Sequence, residues 1–153
     1  GPGLLAETLL EAFPQMQYIG VDFSREMIRA AERKTAEHRW QCRFICRDLR
    51  SETWHRGLKP EGANAIVSSQ ALHDLGEMQH VEEVYARSRS LLKPGGLLLN
   101  ADLVLSPDHE KETEGGRLKA HHHLRLLNTL GYERVECALD FTTYVCIQAY
   151  RPG

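Results

Sequence analysis

Gly1-Pro2-Gly3-Leu4-Leu5-Ala6 opens the chain, Glu7 to Phe13 continue it as an apolar-faced segment, and Gln17-Tyr18-Ile19-Gly20-Val21-Asp22 closes this first stretch. Leu4, Leu5, Leu9, Leu10 and Phe13 fall on one helical face, and Pro14 stops that helix. Gln17 to Val21 is a strand-sized run with an acid, Asp22, at its tip. A glycine-rich turn lets backbone approach a ligand closely, and a helix N-terminus favours negative charge. An acid at the end of the following strand, nineteen residues after Gly3, stands where ribose hydroxyls are bound in nucleotide-binding βαβ units. The glycines also suit an ordinary loop, and Asp22 also suits a helix cap.

The same alternation of strand and helix runs outward from this start. Ser24 is a good N-cap for the helical stretch that follows, with Met27, Ile28 and Ala31 on one side. Arg43–Cys46 and Ala63–Ser68 read as strands. Val81, Val84, Tyr85, Ser88, Leu91 and Leu92 keep a helical period up to Lys93-Pro94-Gly95-Gly96, and Leu97–Val104 reads as the next strand. Ser106–Gly116 is polar and turn-rich. Leu118–Leu130 reads as a helix that Gly131 ends, and Tyr132–Cys137 and Tyr144–Tyr150 as two last strands. Only Ala138–Thr143 separates those two, too little for a parallel crossover, so they must be antiparallel. The spacing predicts an α/β fold. It is a doubly wound, mostly parallel sheet with helices on both faces and a C-terminal antiparallel strand pair, in one domain spanning 1–153.

Composition excludes several classes. The 153 residues carry nineteen Lys plus Arg against twenty-one Asp plus Glu, a net charge of −2. That balance argues against a nucleic-acid partner, which favours a basic surface. The apolar runs are a few residues long, too short for a membrane span, and no signal peptide is visible. Cys42, Cys46, Cys137 and Cys146 form no paired metal spacing and lie in apolar runs. They predict buried thiols in a reducing compartment, the cytoplasm. Trp40 and Trp54 read as hydrophobic cover. His121-His122-His123 cannot all reach one metal, because consecutive helical residues point about 100° apart, and no metal site is expected.

Asp48, in Cys46-Arg47-Asp48-Leu49, is a second acid beyond a strand end. A dinucleotide does not especially require it, whereas the exocyclic amine of adenosine is a donor that suits a carboxylate. Here the chain resembles class I S-adenosylmethionine-dependent methyltransferases. The matching pieces, in the family's order, are GPG before a helix, VDFSREMIRAA, CRDL, AIVSSQALHDL, LLKPGGLLL and LGYERVEC. The resemblance implies S-adenosylmethionine as cofactor, S-adenosylhomocysteine as product and a small-molecule methyl acceptor. It places Gly1 and Gly3 at the methionine part, Asp22 at the ribose, Asp48 at the adenine amine and Ser68 or Ser69 beside the sulfonium, with Phe23 and Leu49 also in contact with the cofactor. It also implies an apolar first strand ahead of Gly1. Without it, the central slot is expected to be filled from a longer protein, by a rearranged segment, or by exchange in a homodimer.

His73, just beyond a strand at the sheet's carboxyl edge, is the best placed titratable group for a base, with Asp74 beside it. It equally suits packing at the mouth of a cleft. Asp102 is a second candidate for contact with the acceptor, or else a capped strand end. Two further readings stay open: an NAD-type oxidoreductase, which Gly1, Gly3, Ala6 and Asp22 allow, and a non-catalytic binding protein of the same fold.

Overall fold

The computed structural model describes residues 1–153 and resolves into two compact units, Gly1–Trp54 and His55–Gly153. In the first unit, helix α1 (Leu4–Ala12) leads to strand β1 (Tyr18–Asp22), helix α2 (Arg25–Lys34) and strand β2 (Cys42–Cys46). β1 and β2 are parallel, in register from Tyr18 opposite Cys42 to Asp22 opposite Cys46. The helices form because each offers a narrow apolar stripe: α1 buries Ala6 and Leu10, and α2 buries Ile28 and Ala31. Ser24 caps α2 as expected, its Oγ accepting from the Met27 amide at 3.3 Å.

The second unit holds strand β3 (Ala63–Ser69), helix α3 (Met78–Leu91), strand β4 (Leu92–Leu103), the short strands β5 (Thr113–Glu114) and β6 (Arg117–Leu118), helix α4 (Ala120–Thr129), and strands β7 (Glu133–Asp140) and β8 (Tyr144–Tyr150). Its main sheet has the order β3-β4-β8-β7. β3 and β4 are parallel, while β8 runs antiparallel to both β4 and β7. The closing antiparallel pair is therefore present, with β8 inserted beside β4. The pairing as a whole is mixed rather than mostly parallel: β4–β8, β7–β8 and β5–β6 are all antiparallel.

Three boundaries depart from the sequence reading. Lys93–Gly96 belongs to β4 rather than to a free turn, because its backbone finds lateral partners: Leu92 opposes Ala63, and the Gly95 amide donates to Arg151 O at 3.0 Å. Leu118 is extended, not helical. Its carbonyl accepts from Leu105 at 3.0 Å, which holds α4 back to Ala120. β7 runs on to Asp140, leaving a tighter hairpin than Ala138–Thr143 suggested. The four cysteines are free thiols on strands but none is buried, and Cys46 is exposed. Trp54 is buried, whereas Trp40 is 83% exposed, with the Arg39 guanidinium 4.9 Å over its ring.

The core of the second unit contains a polar chain. Asn100 Nδ2 donates to the Tyr85 hydroxyl at 3.1 Å, and that hydroxyl donates in turn to His123 Nδ1 at 2.8 Å. Burial pushes the Tyr85 phenol upward and lowers His123 to about 4, against the opposing pull of Asp102 and with a smaller push from His122. The sign follows directly. The unfolded chain takes up this proton near pH 6.5 and the folded chain does not, so stability is present above that pH and lost as pH falls towards 4. The loss should be on the order of 3 kcal/mol. Urea titrations at pH 7 and pH 4 are expected to show His123→Phe losing less stability than the wild type by about that amount. Equal losses would place His123 outside the titrating core.

Candidate active site

The parallel register of β3 and β4 builds the site. Ser69 lies opposite Ala101, and the Gln70 amide donates to Ala101 O at 2.9 Å, so the chain leaving β3 passes the end of β4. Gln70 has φ 49, which turns the chain out of the sheet. Next comes a single 3-10 turn, Leu72–Asp74. Along β4 every second side chain faces inward, giving Leu98, Asn100 and Asp102 as buried residues. Asp102 thereby points at the turn that carries His73.

Asp102 is fully buried and its two oxygens are saturated by donors from within the unit. Oδ2 accepts from the Leu72 amide at 2.8 Å and the His73 amide at 3.3 Å. Oδ1 accepts from the Leu103 amide at 2.8 Å and meets His73 Nδ1 at 2.6 Å. A carboxylate accepts only, so Nδ1 carries the proton and Nε2 is the nitrogen turned to other partners. Asp74 Oδ1 lies 3.3 Å from Nε2 on an exposed side chain. The structure thus brings Asp102, which the sequence singled out separately, together with His73 and its neighbour Asp74. It gives Asp102 no surface for an acceptor; its contacts hold the histidine instead.

In the first unit Asp22 ends β1, and Asp48 follows the end of the paired strand β2. Both acids therefore sit at the carboxyl edge of one parallel pair, where ligands bind in α/β sheets. Asp22 Oδ1 accepts from the Ser24 amide at 2.8 Å, just ahead of α2, and Oδ2 meets the Gly1 amino group. Asp48 is held by the guanidinium fork of Arg50, at 3.0 Å from Nε and 2.6 Å from Nη2. Phe23 leaves its ring 71% exposed beside Asp22, and Leu49 is half-buried. Gly3 caps α1 at φ 94, and a Cβ there would lie 2.7 Å from Ala31 Cα, so only glycine fits. In the second unit Ser68 and Ser69 end β3. Ser68 Oγ is buried without a hydrogen-bond partner, as is Oδ1 of Asn100, its register neighbour on β4.

A cluster absent from the sequence reading gathers around Glu112. Its carboxylate accepts from Lys119 Nζ at 2.8 Å and His122 Nε2 at 2.9 Å, with His121 Nε2 at 3.3 Å. Lys119 first and His122 next hold the Glu112 carboxyl down at about 2. Ligand atoms of Glu112, His121 and His122 lie within 4.8 Å of one another. The hydrogen bonds nevertheless describe an ion-pair network. Arg125 donates to His122 Nδ1 at 2.8 Å, which puts the ring proton on Nε2, facing Glu112 rather than free for a cation. The histidine run divides as its helical spacing requires: His121 outward, His122 to Glu112 and His123 into the core.

Residues 1–98 match the family model for a methyltransferase domain. The chain belongs to this family. It is 30% identical over 100 residues to the hybrid PKS-NRPS synthetase lepA of Aspergillus flavus, covering 65% of this chain and 2% of that protein. It is 29% identical over 125 residues to the carboxy-S-adenosyl-L-methionine synthase of Desulfotalea psychrophila, covering 80% of this chain and 46% of that one. Among solved structures, the CurJ carbon methyltransferase superposes with a TM-score of 0.83 at 17% identity, covering 100% of this chain and 46% of that one. The chain thus spans a fiftieth to about half the length of these relatives. No helix is long and apolar enough to cross a membrane.

Asp102→Ala would leave three backbone amides and an imidazole N–H without their buried acceptor. The expected cost is about 3 kcal/mol or more, since each unpaired buried donor carries its own desolvation penalty. Denaturant unfolding checks this, and a loss below about 1 kcal/mol would mean that water replaces the carboxylate.

Proposed function

We propose that this domain transfers the methyl group of S-adenosylmethionine to a small-molecule acceptor, with His73 as the general base. The observation that carries the reading is the 2.6 Å contact from His73 Nδ1 to the buried, amide-saturated Asp102. Such a partner fixes the ring and its Nδ1 proton, leaving Nε2 to take a proton from an acceptor oxygen or carbon acid. Asp102 stabilises the imidazolium that forms, and exposed Asp74 lies beside Nε2, where the acceptor's proton would arrive.

The residues of the first unit suit the nucleoside. Asp22 and Asp48 are acceptors at one strand edge, for ribose hydroxyls and the adenine amine, and the exposed Phe23 ring with Leu49 offers an apolar surface for the base. Gly1 has open space beside its Cα, and Gly3, packed against Ala31, starts α1; both are assigned to the methionine part of the cofactor. In the second unit Ser68 Oγ is a buried hydroxyl without a partner, with Ser69 next to it, and both are assigned to the cofactor as well. S-adenosylmethionine supplies the electrophilic methyl group, so the protein's part is positioning and proton removal. The carbon methyltransferase neighbour and the hybrid PKS-NRPS relative favour an acidic carbon as one acceptor class. A phenolic oxygen poses the same proton-removal problem. Methyltransferase membership favours this reading over an NAD-linked oxidoreductase, which Asp48 does not serve.

We read residues 1–153 as one doubly wound methyltransferase-like domain with helices on both faces. A cytoplasmic setting suits the four free thiols, and neither nucleic acid nor membrane is proposed as a partner.

Two substitutions separate binding from chemistry. Asp22→Ala should weaken S-adenosylhomocysteine binding by about 2–3 kcal/mol, read by calorimetry, in a protein that stays folded. Unchanged affinity would remove Asp22 from the site. His73→Ala should keep that affinity while methyl transfer falls about 10²-fold or more. Turnover at the wild-type rate would leave His73 a packing residue. Absence of any transfer in the wild type, across phenols and β-ketoacyl thioesters, would favour a non-catalytic binding protein.

A further inference from the structure

The polar segment Ser106–Leu118, between β4 and α4, is anchored at both ends and touches the His73 turn at its tip. Its base is fixed where Leu105 pairs with Leu118 and Lys119, and Leu118 is fully buried. Its tip is the hairpin of β5 and β6, turned by Gly115 and Gly116 at φ 57 and 94. Two positive-φ residues make the tight turn whose twist matches its strands.

The tip fits the turn closely. A Cβ at Gly116 would lie 2.6 Å from His73 O and 2.6 Å from Gly76 N. Both atoms are backbone, so neither can swing aside as a side chain would. The segment also carries Glu112, whose carboxylate is bound by Lys119 at the start of α4 and by His122 within it. A carboxylate at a helix N-terminus is further favoured by the helix dipole. Lys119 is nearly buried, and Glu112 is the carboxylate that balances it.

We propose that Ser106–Leu118 is a strap that positions His73, seated on its turn through Gly116 and latched to α4 through Glu112. Asp102 holds the His73 turn from inside the unit, through the Leu72 and His73 amides and the ring. The strap bears on the same turn at the His73 carbonyl, and with both in place the turn is fixed from two sides. Gly116 and Glu112 are thus positioning residues, acting through His73 without touching the reacting atoms. This inference deepens the reading of His73 as the base and rests on it for its catalytic consequence.

The test compares wild type with Gly116→Ala and Glu112→Gln by residue-resolved amide hydrogen exchange, alongside methyl transfer to a phenol and to a β-ketoacyl thioester. Exchange at Leu72, His73 and Leu75 is expected to quicken about tenfold in both variants, with β4 and β8 unaffected. S-adenosylhomocysteine affinity should stay at the wild-type value. The kcat should fall about 10²-fold in Gly116→Ala, as misplacement of a catalytic group by about 1 Å does, and less in Glu112→Gln. Faster exchange confined to the strap, with the turn unchanged, would overturn the inference, and so would wild-type kcat in a Gly116→Ala protein whose turn exchanges faster. The exchange arm needs no acceptor, so it decides the matter even if neither probe is methylated. Should Gly116→Ala fail to fold, Glu112→Gln carries the test, because that side chain is exposed. Failure of the base reading shows separately, as undiminished turnover in His73→Ala.

Discussion

Burying the Asp102 carboxylate is the constraint around which the second unit is arranged. An ionised carboxylate without surface is costly unless every lone-pair direction finds a donor. Here three backbone amides and one imidazole supply them, and all come from Leu103 or from the turn after β3. The register of β3 on β4, the turn at Gln70 and the position of His73 are therefore mutually determined. Shifting β4 by one residue would put Asp102 on the opposite face of the sheet and leave both the charge and the amides unpaired.

The same charge acts on its surroundings. It opposes the depression of His123 and adds to the rise of the Tyr85 phenol, so the core chain of Asn100, Tyr85 and His123 shares its field. His123 stays neutral because burial outweighs that attraction, and a neutral Nδ1 can accept the Tyr85 proton. Two histidines near one carboxylate thus have different tasks. One is bonded to it and turned towards partners outside the core, while the other is sealed within.

Much of this was legible in the sequence, for identifiable reasons. Periodicity located α1, α2, α3 and the longer strands but not the β5–β6 hairpin, and the short Ala138–Thr143 connection established the antiparallel ending. Residue chemistry nominated His73, Asp74 and Asp102. It paired His73 with its neighbour Asp74 but did not reveal that Asp102 meets them, because Asp102 lies twenty-eight positions beyond Asp74 and only the strand register brings it there. The early helix start at Leu118 failed because periodicity cannot see the bridge to Leu105. Trp40 was expected as hydrophobic cover, and the cysteines in the interior because they lie in apolar runs, whereas burial depends on what packs opposite. Glu112 went unnoticed because an acid in a polar loop carries no local signal. Its partners are defined by a hairpin that two glycines allow.

Methyl transfer from a nucleoside sulfonium is the proposal that family membership and the His73–Asp102 pair support, and nucleoside binding is its most direct consequence. Calorimetric titration of the protein with S-adenosylmethionine, S-adenosylhomocysteine and NAD tests it most directly. The account expects saturable binding of the first two at one site per chain and no heat from NAD. Binding of NAD, or no binding of either sulfur nucleoside by the folded protein, would contradict it.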